Sequence, residues 1–517
     1  MTMHRFKWSN ELAVAMSSLK AKNAIEHLLR ADGQEDLCFA LWHPSSGTER
    51  STAIIQSILY PNEDERDVHG NVEFTSEYFL RALGEATEQG AGVALMHSHP
   101  GGRGWQGLSS DDFFAETSHA AQAQAITGLP FLGLTIAGDG HWSGRFWIRS
   151  EPRKYEPKNC RLVSVVGDKL LVSFNPTIAP RPNRQSSQIR TVSAWGASVQ
   201  DDLARLRVGI IGAGSVGALM AESVARIGVG LIDIIDFDTM ETHNLDRQLH
   251  ATSSSVGKSK AVVLAEAIET SATAEQVIIH SFEDSVCEPA GWSRALDCDV
   301  LISCVDRPWP RAVLNLIAYS HLVPVIDGGI LVDARGGQFR GAHWRSHTVA
   351  PGRRCLECLS QFDPGLVQAE REGLLDDPVY IEGLPEDHSL RRNENVFAFS
   401  VGCAGMELAQ FVCMIAAPGG VFDPAPQDYN LVTGTIDRVT KGCEANCPYT
   451  NILESLGDDI PIRVTGRHLI AELTREARQR SSSVERSTQR NVTLPRSRRV
   501  IFKCGVPLWR KIRRKNG

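Results

Sequence analysis

The sequence is short of several things at once. No apolar run among its 517 residues reads as the stretch of about 20 residues that a bilayer-spanning helix needs, so no membrane partner is expected. The opening residues, MTMHRFKWSNELAVAM, lack a long apolar segment followed by a small-residue cleavage site; no secretory signal is read there, and a cytoplasmic location is expected. Cysteine is sparse. Twelve in so long a chain do not make a disulfide scaffold, and four of them fall in two close pairs, which points to metal in a reducing compartment. An excess of positive charge is missing as well, since the formal net charge is -7. The exception lies beyond about residue 460, with sixteen Lys/Arg against three Asp/Glu. Residues 451–517 therefore read as a basic C-terminal extension, starting as an amphipathic helix and ending solvated, without nucleic acid as an expected partner.

What is present divides into blocks. In residues 1–175, EDLCFALWHP, STAIIQSILYP and GVALMHSHP read as strands, and TSEYFLRALGEATEQG as a helix ending at glycine. DDFFAETSHAAQAQA reads as a second helix, and FLGLTIAG, GRFWI and LVSVVGDKLLVSF as further strands. This is an α+β pattern. Residues 176–189, within NPTIAPRPNRQSSQ, have no apolar period and read as a linker. From RVGIIGAGSVGALMAESVARIGVGLIDIIDFD the order becomes strand, glycine turn, helix, strand. Residues 190–450 are accordingly expected to form an α/β, Rossmann-like domain on a mostly parallel sheet.

The stretch MHSHPGGRGWQGLSSDD holds the first chemistry. His97 and His99 lie two apart at a strand end, so their side chains share a face. With Asp112 as a third ligand they leave one zinc position open for water, the arrangement of a hydrolase. Hydrolysis also needs a proton acceptor held off the metal. Glu35 can be that group if its strand runs beside the histidine strand, with Asp36 as the adjacent alternative. Failing that arrangement, the same residues are a polar loop.

His97-Ser-His99-Pro100 followed by Ser109-x-x-Asp112 resembles the motif of the JAMM (MPN-plus) metalloproteases over about residues 10–175, with Glu35 opening the first core strand. The resemblance implies cleavage of peptide or isopeptide bonds after the C-terminal glycine of a ubiquitin-like protein. It also implies a catalytic zinc on His97, His99 and Asp112, Glu35 taking the proton of the attacking water, and Ser109 stabilising the oxyanion. The loop from Pro100 to Ser109 is longer than is common and carries Trp105, which is expected to alter substrate access.

The second block turns on GIIGAGSVG. Gly212, Gly214 and Gly217 follow a strand and open a helix, where bare backbone and a helix N-terminus suit a phosphate. Asp236, at the end of the next strand, suits ribose hydroxyls. Up to this point a nicotinamide dehydrogenase fits equally well. The following residues separate the two. DFDTMETHNLDRQ supplies Asp238, Asn244, Arg247 and Gln248; SVGKSKAVVLAEAI supplies Lys258 and Lys260; DVLISCVDRP ends near Asp306. A triphosphate needs such cations and an aspartate for magnesium, whereas a dinucleotide does not. Lys258 reads as a solvated helix residue, and Asp238 as a residue that can orient Asn244.

Asp236-Phe-Asp-Thr, Asn244-Leu-x-Arg247-Gln248, Lys260, Asp306 and Asp327-Gly328-Gly329 together resemble the ThiF/MoeB superfamily over about residues 190–450. The resemblance implies Mg2+- and ATP-dependent adenylation of the C-terminus of a ubiquitin-like or sulfur-carrier protein. Arg247 and Lys260 would neutralise phosphates and Asp306 would place magnesium. A homodimer is implied, with Arg190 of IRTVSAWG lent across it.

RRCLEC and GCEANCPY give Cys355, Cys358, Cys443 and Cys447, four thiolates suited to a closed, structural zinc site. The superfamily carries such a site; here the second spacing is one residue longer than usual. Many activating enzymes place a catalytic cysteine after the first pair, but residues 359–402 contain none, and Cys304, Cys403 and Cys413 read as core. Both resemblances together imply a bifunctional enzyme that processes or deconjugates a ubiquitin-like protein and activates its C-terminus, passing it to a conjugating enzyme or a sulfur donor. The competing readings are an activator of a sulfur carrier for cofactor or secondary-metabolite biosynthesis, a nicotinamide oxidoreductase, and a non-enzymatic scaffold acting through the basic tail.

Overall fold

The computed structural model describes residues 8–69, 71–334, 338–383 and 394–491. The first module is built from strands Glu11–Ser17 (β1), Leu37–Ser46 (β2), Arg50–Leu59 (β3), Arg66–His69 (β4), Asn71–Phe74 (β5), Gly92–His99 (β6), Phe131–Ala137 (β7), Trp142–Glu151 (β8), Lys154–Asn159 (β9), Leu162–Val166 (β10) and Leu170–Phe174 (β11). Nine of them form one mixed sheet in the order β11-β10-β1-β3-β2-β6-β7-β8-β9, while β4 and β5 make a separate hairpin. Helix Ser18–Leu28 (α1) packs its Ala21, Ala24 and Leu28 on one face of the sheet. Helices Ser76–Gln89 (α2) and Ser110–Thr127 (α3) cover the other. The helix expected from TSEYFLRALGEATEQG forms because Tyr78, Phe79, Ala82, Leu83 and Ala86 make one buried stripe, with Thr75 capping its start and Gly90 in the left-handed region at its end. Strand β1 was not legible. ELAVAMS is buried on both sides, Ala13 and Ala15 facing one cluster and Leu12, Val14 and Met16 another, so it shows no polar alternation.

The second module contains helices Ile189–Trp195 (α4) and Ala197–Leu203 (α5), strand Arg207–Ile211 (β12), helix Ser215–Ile227 (α6), strand Leu231–Ile235 (β13), helix Lys260–Glu269 (α7), strand Ile278–Phe282 (β14), helix Pro289–Ala295 (α8), strand Val300–Ser303 (β15) and helix Pro308–Ser320 (α9). There follow strands Val325–Asp333 (β16) and Gly341–Val349 (β17), helices Pro364–Arg371 (α10), Pro378–Gly383 (α11) and Phe397–Ala416 (α12), strands Gln427–Asn430 (β18) and Thr435–Arg438 (β19), and helices Pro448–Asn451 (α13) and Leu469–Asn491 (α14). The sheet order is β14-β13-β12-β15-β16-β17-β18-β19. Its first five strands are parallel, as expected of a Rossmann-like sheet, and β17, β18 and β19 continue it antiparallel.

One expectation is corrected, that on long apolar runs. Helix α12 is 20 residues long and apolar enough to cross a membrane by length and composition. It nevertheless carries buried Glu407 and Gln410 and lies along α6, β16 and β17. The stretch read as a linker is fastened along its length: Arg205 donates to the Ala179 carbonyl, Asn183 binds Glu275, and Arg184 pairs with Asp201 at 3.0 Å. The basic extension, read as starting with an amphipathic helix, is divided near that helix's first turns. Residues up to Arg475 belong to the same compact unit as both sheets. From Glu476 a separate unit begins; its described part is helical, with Arg480 pairing Glu476 at 2.8 Å.

The two sheets share one apolar core, in which Ala13, Ile54, Leu162 and Phe174 join Leu203, Ile210, Met220 and Phe411. A polar seam runs beside it. Arg50 is buried between Glu11 and Asp299, at 2.6 Å from the latter, and the Asp297 carboxylate accepts the backbone N–H groups of Glu49 and Arg50, each at 2.9 Å. A Cβ on Gly47 would stand 2.1 Å from that carboxylate, so the turn requires glycine. His43 lies 2.6 Å from Asp459, Ser45 2.8 Å from His321, and Arg353 donates to the carbonyls of Gly167 and Asp168.

Candidate active sites

The end of β6 delivers His97 and His99 to the α3 face of the first sheet, and α3 delivers Asp112 from its first turn. Asp112 Oδ1 lies 3.2 Å from His97 Nε2, and Oδ2 lies 3.4 Å from His99 Nε2. One ligand atom from each residue falls within 4.8 Å of the other two. Zinc bonds of 2.0–2.1 Å in a tetrahedron set donors about 3.3 Å apart, so this triad fits the ion. Burial opposes the charge on Asp112, but hydrogen bonds from His97 and His99 outweigh it and hold the carboxyl far below its ordinary pKa. The Asp112 carboxylate in turn raises the His99 pKa.

The surroundings brace these side chains. Ser109 caps α3 and forms a reciprocal capping box with Asp112, its Oγ accepting the Asp112 N–H at 3.1 Å while Asp112 Oδ2 accepts the Ser109 N–H at 2.9 Å. Gln106 Oε1 stands 3.4 Å from His99 Nδ1, so the long Pro100–Ser109 loop supplies a partner for a candidate ligand. Thr135 Oγ1 lies 3.2 Å from His97 Nε2 and accepts from Arg145 at 2.9 Å; Arg145 is paired with fully buried Glu116. The antiparallel register pairs Leu37 with His97 at the start of β2, and Glu35 lies two residues before it. Glu35 acts electrostatically on His99. Asp36 is buried and occupied by Arg66 and Arg30.

In the second module an open cavity of about 1640 Å³ lies at the C-terminal ends of the parallel strands. Gly212, Gly214, Asp236, Asp238, Asn244, Arg247, Gln248, Lys260 and Asp306 all line it. Gly212 has φ +94°, and a Cβ there would press on the Cys304 carbonyl at 2.8 Å. Gly217 lies behind the cavity, where a Cβ would stand 1.9 Å from the Gly212 carbonyl oxygen; only glycine lets α6 pack on the turn. Asp236 accepts the N–H groups of Ala213 and Asp238, bracing the loop, and burial followed by repulsion from Asp238 pushes its carboxyl up to about 6. Lys260 reaches Asp238 at 2.9 Å, so Asp238 orients the lysine rather than Asn244; Asn244 instead accepts the Glu241 N–H. Gln248 donates to the Ala213 carbonyl at 2.7 Å, and Arg247 folds back on the His243 carbonyl. Lys258 is exposed, and Arg190 is exposed on α4 and does not line the cavity.

Several cavity residues were not anticipated. Arg311 and Arg345 flank buried Asp327, at 3.5 and 2.6 Å, beneath Gly328 and Gly329. Their positions in sequence carry no local motif; only the sheet brings them together. His468, from the basic extension, also lines the cavity. Cys355, Cys358, Cys443 and Cys447 converge with their sulfurs within 4.8 Å, Cys355 and Cys447 being 3.7 Å apart. Zn–S bonds of about 2.3 Å in a tetrahedron require roughly this separation, so the four can hold a structural zinc. Cys403 is buried and Cys304 and Cys413 half-buried, in keeping with core roles.

The profile described as the ThiF family matches residues 185–445, just over half of the chain. Among curated relatives, the adenylyltransferase and sulfurtransferase MOCS3 of Caenorhabditis briggsae is 28% identical over 198 residues, 38% of this chain and 47% of that protein. The NEDD8-activating enzyme E1 catalytic subunit of Caenorhabditis elegans is 23% identical over 359 residues, 58% of this chain and 80% of that one. The sulfur carrier protein ThiS adenylyltransferase of Bacillus subtilis is 28% identical over 165 residues, 32% and 46% respectively. The chain thus spans about half the length of the first of these relatives.

Proposed function

The chain belongs to the ThiF family, and from that premise we propose that it adenylates the C-terminal carboxylate of a ubiquitin-like or sulfur-carrier protein with Mg-ATP. The observation that carries this reading is the convergence of Gly212, Gly214, Asp236, Arg247, Lys260 and Asp306 on one cavity. A carboxylate oxygen of the partner attacks the α-phosphorus, the bond from that phosphorus to the bridging oxygen breaks, and pyrophosphate leaves. Lys260 and Arg247 neutralise the phosphate charge, and Asp306 receives the magnesium that accompanies ATP. The carboxylate is already ionised, so the step needs no base. Arg190 stands outside its own cavity, as a residue lent to a second copy in a homodimer would.

The first module is proposed to expose that carboxylate, as a JAMM-type hydrolase trimming a precursor or a conjugate. Zinc on His97, His99 and Asp112 would supply a Lewis acid. Glu35 takes a proton from the attacking water and returns one to the leaving amine; the Ser109 hydroxyl, whose oxygen already accepts the Asp112 N–H, keeps its proton for the developing oxyanion. Joining both activities in one compact unit suits two reactions on the same tail. The acceptor is a conjugating enzyme or a sulfur donor; residues 359–402 contain no cysteine to carry a thioester on this chain, which is compatible with the sulfur donor.

The test is pyrophosphate exchange into ATP with small ubiquitin-like proteins, each supplied as a precursor and as a glycine-ended form. Exchange with the glycine-ended form that disappears in Asp306→Ala supports adenylation; no exchange across the panel overturns it. Use of the precursor only when His97 and Glu35 are intact supports processing, whereas a precursor that never serves redirects the zinc module to conjugates.

A further inference from the structure

Beyond Asp459 the chain crosses the nucleotide cavity. The Val464 carbonyl accepts the Trp309 indole N–H at 2.7 Å, and the Gly466 N–H donates to the Cys287 carbonyl at 2.9 Å. His468 is only 6% exposed. Its Nδ1 lies 2.7 Å from Ser285 Oγ, and its ring sits edge-on to Phe237 and Trp309, with centroids 5.0 and 5.2 Å away. Ala471 is fully buried, and Arg475 closes the run with two bonds to the Glu288 carboxylate, at 2.7 and 2.8 Å. Both His468 and Ile470 line the cavity.

Their end of the cavity can be placed from the sheet order. The glycine loop follows β12, Asp236 follows β13, and Asp284, Ser285 and Val286 follow β14, in that lateral sequence. A nucleotide with its phosphates at the glycine loop and its ribose at Asp236 carries its base onward, between Phe237 and Ser285–Val286. That is where His468 and Ile470 form the wall. We infer that the segment from Val464 to Arg475 is an arm that completes the nucleotide pocket, with His468 and Ile470 contacting the purine base. This rests on the adenylation reading. Ser285 Oγ already accepts the Cys287 N–H, so its own proton is free for His468 Nδ1, leaving the imidazole hydrogen on Nε2. Burial lowers the His468 pKa and keeps the ring neutral, a donor suited to a base nitrogen.

The test uses the full chain and calorimetric titration with Mg-ATP, Mg-GTP and inorganic tripolyphosphate. His468→Ala is expected to weaken Mg-ATP about tenfold, as loss of a base-contacting ring does, and Ile470→Ala severalfold, with tripolyphosphate changed less than twofold. Arg475→Ala, which touches no cavity atom, should weaken Mg-ATP by loosening the arm. Unchanged Mg-ATP affinity in both cavity variants overturns the inference; so does an equal loss of ATP and tripolyphosphate, which marks a general collapse of the site. If His468→Ala does not fold, Ile470→Ala decides, since it leaves the Ser285 and Trp309 contacts in place. A wild-type chain that binds no Mg-ATP instead overturns the adenylation reading itself.

Discussion

Arg145→Met keeps the side-chain stem and removes only the guanidinium. In the native chain that group is 2% exposed. It donates from Nε to Glu116 Oε2 at 2.8 Å, from Nη2 to Oε1, and from Nη1 to Thr135 Oγ1 at 2.9 Å. Once it is gone, Glu116 retains the Trp147 indole N–H, at 2.5 Å, and no cation. Gly133 offers no side chain to fill the space, since a Cβ there would stand 2.2 Å from the carboxylate. Stripping a buried carboxylate of its cation costs about 3–5 kcal/mol, far above the worth of an exposed pair. Urea unfolding of the full chain should show that loss in the transition containing the first sheet. Adding Glu116→Gln removes the orphaned charge and should restore at least half of it. A loss below about 1 kcal/mol, or a double variant as unstable as Arg145→Met alone, would refute the reasoning.

Glu407 gives a pH signature. Burial, and then Asp327, push its carboxyl up to about 8 from the ordinary 4.5. Between those values the folded chain keeps a proton that the unfolded chain has released, so stability falls as pH rises across that window. Glu407→Gln should flatten the fall between pH 5 and pH 8; urea midpoints with identical pH slopes in both proteins would count against it. Cys443→Ala should remove one zinc per chain by elemental analysis and lower the melting temperature, and unchanged metal content would exclude the four-cysteine site. Lys260→Ala should raise the KM for ATP at least tenfold in pyrophosphate exchange, an outcome contradicted by native KM with lowered kcat. Glu35→Gln should bind zinc with native affinity yet cleave precursor at least a hundredfold more slowly, and weakened zinc binding would place Glu35 on the metal instead.

The parts of the sites that were legible are those fixed by local backbone. A glycine turn between strand and helix, two histidines on one strand face and a capping serine before Asp112 each declare their geometry within a few residues. The choice between Glu35 and Asp36 needed the fold, in which Arg66 and Arg30 occupy buried Asp36 while the Glu35 charge acts on His99. Arg311 and Arg345 come from separate elements and meet only across Asp327. Strand β1 carries no alternation because both its faces are covered. The segment bearing His468 reads as the start of an amphipathic helix, but what its buried side, Ala471 and the His468 ring, packs against is set by distant elements and has no local signal.

The common core of the two sheets makes the connector dispensable for cohesion. A protease cutting between residues 176 and 189 would leave Arg50, His43 and Ser45 still engaged with Asp299, Asp459 and His321, so the nicked halves should travel as one particle. Made separately, the first half would offer Ala13, Ile54 and Phe174 to water with nothing to cover them. Neither half is then a portable cassette, and transfer of one activity to another protein has to carry the seam of its neighbour with it.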